Sequence, residues 1–350
     1  MKWKIVWIVP ALAIVCLSIL STRPVKADYD TAYQLYKAKK YSEAIPLLEE
    51  WCNKYPKDPR GGYTLAQCYV KTKQTNKALD RLAVVLEHHP EHAPSQFLTG
   101  FLTLGSSPDN ALPHFKRATE EEADNAQYQY YYGSALIAAK QYDDALPVLK
   151  KAVELNPKSA KAQLDLGKVL LLTNRPSDAI GPLQIASKGK EDKETALYYL
   201  GVANLQTKNY ADAVTALKQA GQLSPDDAKV FYNLGMAHEG TLPSPVDSVE
   251  TCQPMIDAYL QAVKLEAGNA GYQFRLGAAY ETAARSIYAK TAGNPGMSTQ
   301  ALNLLEKAKA AYATAVQADA GNPANDRIAG TDQMIENIRN PQVIEEEVQQ

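Results

Sequence analysis

AQYQYYYGSALIAAKQYDDALPVLKKAVELNPKS, residues 126–159, decides the fold. Tyr132, Gly133 and Leu136 fall on one helical stripe over about 126–139, and Ala145, Leu149 and Ala152 fall on another over 142–155. Lys140 and Gln141 sit at the junction, and Pro157 closes the second helix because proline cannot continue it. A two-helix hairpin of this size cannot bury both stripes alone, so the rest of the chain must supply neighbours.

It does so periodically. The small residue of the first helix recurs as Ala32, Ala66, Gly100, Gly133, Gly167, Gly201 and Gly235, and the alanine of the second as Ala44, Ala78, Ala111, Ala145, Ala179 and Ala213. Helix-ending prolines fall in the same phase at Pro56, Pro90, Pro157 and Pro225. Two markers in one phase over six units predict a stack of helical hairpins, each burying its stripes against the next. The small residue and the facing alanine allow close helix approach, and Leu149, Leu183 and Leu217 fill the space beyond.

The order Tyr132-Gly133, Leu136, Ala145, Leu149, Pro157, repeated at Leu200-Gly201, Ala213, Leu217 and Pro225, resembles the tetratricopeptide repeat family over about residues 28–320. The resemblance implies an all-α, right-handed superhelical solenoid of about eight hairpins with a C-terminal capping helix. The units run about 28–58, 59–92, 93–125, 126–159, 160–193, 194–227, 228–269 and 270–323. The helix at 324–340 then caps the last apolar face, with Ile328, Ile335 and Ile338 inward, and 341–350 is a disordered acidic tail. In unit seven, GTLPSPVDSVETCQ reads as an inserted loop. In unit eight, a first helix to about Ala289 is followed by a TAGNPGMST loop and a second helix over 299–316.

Residues 1–27 read as an export signal. Lys2 and Lys4 precede the apolar run Ile5–Leu20, and Val25-Lys26-Ala27 satisfies the small-x-small rule, which starts the mature chain at Asp28. If uncleaved, residues 5–20 would anchor the chain to a membrane. Removing this segment removes four bases and no acids, leaving 33 bases against 39 acids, a net charge of 33 − 39 = −6. Nothing basic enough for nucleic acid remains. Cys52, Cys68 and Cys252 stay in the mature chain. Cys52 and Cys68 lie on sequence-adjacent helices and could pair, although an odd count and a helical core require no disulfide framework.

In the family the resemblance points to, first helices line a concave groove. The position three residues before the small marker then carries Tyr29, Tyr63, Phe97, Tyr130, Leu164, Tyr198, Tyr232 and Phe274, an aromatic ladder suited either to peptide contact or to packing within the family. Tyr33, Lys37, Gln67, Lys71, Phe101, Lys168 and Glu239 are further groove candidates, and Phe97, Phe101 and Leu104 make the third unit the most apolar. The carboxylate clamp of the family's chaperone-binding members needs lysine and asparagine where this chain has Tyr29 with Tyr33 and Tyr63 with Gln67, so that function is not expected. His88, His89 and His92, with His114 further on, lack regular metal-ligand spacing and read as a solvated turn. There is no HExxH, GxSxG or glycine-rich phosphate loop. The expectation is a non-catalytic scaffold outside the cytoplasm, without metal or cofactor, binding protein segments in its groove. The alternatives are a membrane-anchored envelope assembly factor and an accessory subunit of an envelope enzyme complex.

Overall fold

The computed structural model describes residues 28–288, 290–291 and 294–340, which form seventeen α-helices and no strand. The expected export segment and the acidic tail lie outside the described residues. Hairpins form in chain order: α1 (Tyr29–Lys37) with α2 (Tyr41–Lys54), α3 (Pro59–Lys71) with α4 (Thr75–His88), and α5 (Ala93–Leu104) with α6 (Pro108–Glu121). After α7 (Ala126–Ala138) and α8 (Tyr142–Leu155) come α9 (Ala160–Leu172) with α10 (Pro176–Ala186), α11 (Lys193–Gln206) with α12 (Tyr210–Leu223), and α13 (Ala228–Gly240) with α14 (Val249–Leu265). The chain ends in α15 (Ala270–Tyr288), α16 (Pro295–Ala318) and α17 (Ala324–Arg339). It divides into two compact units, with the boundary inside α7 between Ala135 and Leu136.

Caps set the starts of first helices. The side chains of Asp28, Asp58, Ser159 and Asp227 accept from backbone N–H groups two or three residues on, satisfying donors a helix leaves free. Five first helices end in one way. Lys39, Lys73, Lys140, Asn174 and Lys208 are left-handed, with φ between 57° and 61°, and the next N–H reaches back five residues, as from Gln141 to the Leu136 carbonyl at 2.8 Å. Four of the five are lysines, whose Cβ costs about 1 kcal/mol in this conformation. Lys140→Asn will therefore raise stability by about 0.5–1 kcal/mol, read as a higher urea midpoint at unchanged m-value.

Close helix packing explains the small markers. In the first unit, Leu48, Leu82 and Phe115 are fully buried. In the second, Leu149, Leu183, Leu217, Tyr259 and Tyr312 occupy the same register and are equally buried. A Cβ on Gly167 would stand 2.5 Å from Leu183 Cγ, and one on Gly235 would stand 2.5 Å from the Tyr259 ring. At the register's last two positions the leucine is replaced by tyrosine. Tyr259 OH donates to Glu239 at 3.0 Å and Tyr312 OH to Glu281 at 2.8 Å, so each hydroxyl passes the glycine to a carboxylate one turn further on. Buried glutamines add a second repeated device. The side-chain amides of Gln96, Gln129, Gln163 and Gln273 donate to the carbonyls of Pro90, Ala123, Pro157 and Ala267 at 2.7–2.9 Å, tying each first helix to the turn before it.

Two expectations about the insertions need correction. The segment read as a loop in GTLPSPVDSVETCQ is helical from Val249, because Ser248 caps the Thr251 N–H and Val249 and Cys252 enter the core with Leu276 and Ile287. The second helix of the last hairpin begins at Pro295, not near Thr299, because proline fits a first helical turn and Asn294 caps the Met297 N–H. The last helix ends at Arg339. Ile335 is buried, and Ile328 and Ile338 pack against neighbouring core clusters. Cys52, Cys68 and Cys252 are free and buried.

Candidate binding surface

First helices carry the surface relief of each unit. In the first unit, α3, α5 and the N-terminal part of α7 enclose a cleft of about 380 Å³. Its apolar wall is aromatic. Phe97 stacks on Tyr128 at 4.7 Å and meets Tyr131 edge-on at 5.3 Å, and Tyr131 stands perpendicular to Phe101 at 5.5 Å. Phe101 keeps 45% of its surface exposed, whereas Tyr128 is buried to 8%. Across the cleft, Gln67 donates to Tyr63 OH at 3.1 Å, and Lys71 supplies the one charged side chain of the lining. Burial holds the Tyr63 hydroxyl up at about 12, so it stays a proton donor at any physiological pH.

The second unit has a counterpart of about 560 Å³ between α11, α13 and α15, closed by Tyr210 at the start of α12. It is more polar. Arg275 pairs with Glu239 at 3.3 Å, and Glu239 also accepts from buried Tyr259. Val202, Leu205 and Met236 supply its apolar wall.

The expected aromatic ladder is half-buried and packs inward. Tyr29 bonds Thr64 at 3.2 Å and lies 5.8 Å from Trp51; Tyr63 meets His92 edge-on at 5.6 Å; Tyr232 lies 4.9 Å from Tyr272; Phe274 lies 5.7 Å from Tyr312. Leu164 is buried. Tyr130 and Tyr198 are half-buried against their chain neighbours Tyr131 and Tyr199. This position shares the marker's stripe at i, i+3, so it turns toward the partner helix. Of the ladder, Tyr63 and Phe97 also reach the first cleft, and both clefts are lined further from two residues before the marker (Leu98, Tyr131, Asn233, Arg275) and one after it (Gln67, Phe101, Val202, Met236). Tyr33 and Lys168 hold that second position in other repeats. Tyr33 stacks between Tyr29 and Tyr36 beneath the Lys37 ammonium, and Lys168 pairs with Asp165 at 3.3 Å beside the Tyr199 ring. Leu104 packs on the Ala111–Phe115 cluster rather than in the cleft. Sequence reasoning misses Tyr128 and Tyr131 as lining residues. The available signal is the offset from Gly133, which puts Tyr131 two residues before the marker, one step from the position read as the ladder.

The histidines are used locally. His92 Nδ1 caps α5 by accepting from the Ser95 N–H, and its burial lowers its basicity. His89 Nε2 lies 2.7 Å from the Lys57 carbonyl, and His114 Nδ1 lies 2.7 Å from the Gln96 amide oxygen. Among the described residues no group of three His, Cys, Asp or Glu side chains is placed to hold a metal ion. No described helix is long and apolar enough to cross a membrane.

Two family models described as tetratricopeptide repeat match this chain, one over residues 28–97 and 136–200 and the other over 101–160. A third, described as TPR repeat, matches 205–241. Among solved structures, YrrB, titled a TPR protein with an unusual peptide-binding site, is 19% identical, with a TM-score of 0.47 over 53% of this chain and 92% of its own. MamA (41-end) from Desulfovibrio magneticus RS-1 is 22% identical, with a TM-score of 0.44 over 50% and 95%. A further MamA crystal structure is 21% identical, with a TM-score of 0.43 over 56% and 97%. No curated protein matches the sequence.

Proposed function

Because the chain belongs to the tetratricopeptide repeat family, whose stacked hairpins make extended binding surfaces rather than catalytic centres, we propose that it is a non-catalytic scaffold that holds partner protein segments against its first helices. One observation carries this reading. In each unit a cleft opens between successive first helices, and in the first unit its wall is aromatic, with Phe101 left 45% exposed. Rigid aromatic side chains bury large areas at small entropic cost, which is why they anchor interfaces. Of the proposed ladder, Tyr63 and Phe97 line the first cleft and Tyr130 packs on its Tyr131, whereas Tyr29, Tyr198, Tyr232 and Phe274 pack within their own repeats or on the next one. The test is recovery of partners from native envelope material by full-length protein and by the Phe101→Ala/Tyr131→Ala variant. The variant will lose at least about tenfold of the specifically bound protein, as expected for two anchors of about 1–2 kcal/mol each. Equal recovery rules the cleft out.

We place this activity outside the cytoplasm, on the strength of the charged start, the apolar run Ile5–Leu20 and the Val25-Lys26-Ala27 site. The alternative is an envelope factor anchored by residues 5–20. Intact mass of the protein isolated from its native compartment will correspond to a chain starting at Asp28; a mass that includes residues 5–20 decides for the anchored form.

A further inference from the structure

Resting on the assignment of the aromatic cleft as the binding site, we infer that its partner is a proline-rich extended segment flanked by an acidic residue. Three features of the cleft select that class together. The first is hydrogen-bond chemistry. The lining offers donors in the Tyr63, Tyr128 and Tyr131 hydroxyls, the Gln67 and Gln127 amides and the Lys71 ammonium; its acceptors are the amide oxygens and hydroxyls at its edges, and it contains no carboxylate. An ordinary extended peptide would bring backbone N–H groups against ring faces that accept poorly, leaving buried donors unpaired. A proline run has carbonyls for these donors and no N–H to set against the rings.

The second feature is size. At about 380 Å³ the cleft lies at the small end of ligand pockets, so only a short length of chain is in contact with its lining. So small a contact favours a segment that loses little freedom on binding, and the polyproline II conformation is already formed before it docks. The perpendicular pairs Phe101–Tyr131 (85°) and Phe97–Tyr131 (71°) make angled aromatic walls, the surface on which proline-rich segments are bound.

The third feature is charge. Lys71 makes no ion pair among the described residues and is the sole charged group in the lining, so an acid beside the proline run completes it.

The experiment is fluorescence anisotropy of full-length protein with three labelled peptides: octaproline followed by two aspartates, octaproline followed by two lysines, and a Gly-Ser peptide of equal length followed by two aspartates. The proline–aspartate peptide will bind at least about tenfold more tightly than the Gly-Ser peptide, and Phe101→Ala will remove that difference. Lys71→Glu will reverse the preference between aspartate and lysine ends. If the Gly-Ser peptide binds equally well, or neither proline peptide binds, the proline-rich class is overturned. Loss of native partners from Phe101→Ala/Tyr131→Ala would then still identify the cleft as a binding site for another class of segment, whereas unchanged recovery would overturn the cleft as well.

Discussion

Gly201→Ala will destabilise the wild-type protein but stabilise a protein that already carries Leu217→Ala. A Cβ at position 201 would stand 2.4 Å from Leu217 Cγ, 2.7 Å from Cδ2 and 3.1 Å from Cδ1, all inside ordinary contact. Leu217 is fully buried in the core with Leu197, Ala213 and Val230, so it has little freedom to retreat. Overpacking of this kind costs about 1–3 kcal/mol, offset by the roughly 1 kcal/mol that alanine gains over glycine inside a helix, so the net loss is up to about 2 kcal/mol. Leu217→Ala alone will cost about 3–4 kcal/mol, the usual range for emptying a fully buried leucine site. That substitution deletes the three carbons with which the new methyl collides. In its background Gly201→Ala therefore keeps its helix-propensity gain while the added methyl fills part of the cavity, and the double variant will be more stable than Leu217→Ala by about 1 kcal/mol. Urea unfolding of the four proteins gives the cycle, with a coupling of about 1–3 kcal/mol in favour of the pair. Simple additivity would mean that the glycine is not there to let the helices approach.

That pair also marks what the sequence can convey. Gly201 and Leu217 announce themselves because a small residue every 33 or 34 positions has one physical reading, a close helix approach repeated along a stack. The same markers locate each hairpin of the first six repeats closely, down to the 142–155 helix. The periodicity is blind where a local feature outvotes it. Val249–Gln253 lies next to two prolines and so reads as loop, yet its apolar residues have a core to enter once α15 and α16 are present. The candidate surface is harder to see for a geometric reason. Adjacent helix positions differ by about 100°, so choosing Tyr130 instead of Tyr131 moves the chosen face from the cleft toward the partner helix. Phe101 and Gln67 can be found because they follow the marker directly. Tyr128 cannot, because its place in the wall depends on Phe97 stacking upon it from another helix. The left-handed lysines leave no compositional trace either, since lysine is an ordinary turn residue and only the backbone reveals the cost.

A steep loss of stability above pH 10 follows from the buried tyrosines. Burial raises the Tyr259 hydroxyl, and the carboxylate of Glu239 adds to the shift. Burial raises Tyr312 with the hydrogen bond to Glu281, and Tyr69 with the hydrogen bond to Glu49. Burial also pushes the thiols of Cys52 and Cys68 to about 11. Each of these groups is held in its protonated form by the fold and released by unfolding. The stability they contribute is therefore intact below their unfolded values, about 9 for cysteine and 10 for tyrosine, and is lost as pH rises through the folded values. The loss begins near pH 9 with the thiols. Between about pH 10 and 12 the unfolded chain sheds tyrosine protons that the folded chain retains, at a slope approaching about 1.4 kcal/mol per pH unit for each group. By pH 11 the three tyrosines together will have removed about 4 kcal/mol, a large share of a typical domain's stability. Tyr259→Phe/Tyr312→Phe separates this cause from general charge repulsion. At pH 8 the variant will be less stable, because Glu281 loses a buried hydrogen-bond donor and Glu239 loses another. Between about pH 9.5 and 11 its urea midpoint will nevertheless fall more slowly than that of the wild type, by two protons' worth of slope. Parallel pH curves would assign the alkaline loss to lysine neutralisation and not to the tyrosines that replace leucine in the last two repeats.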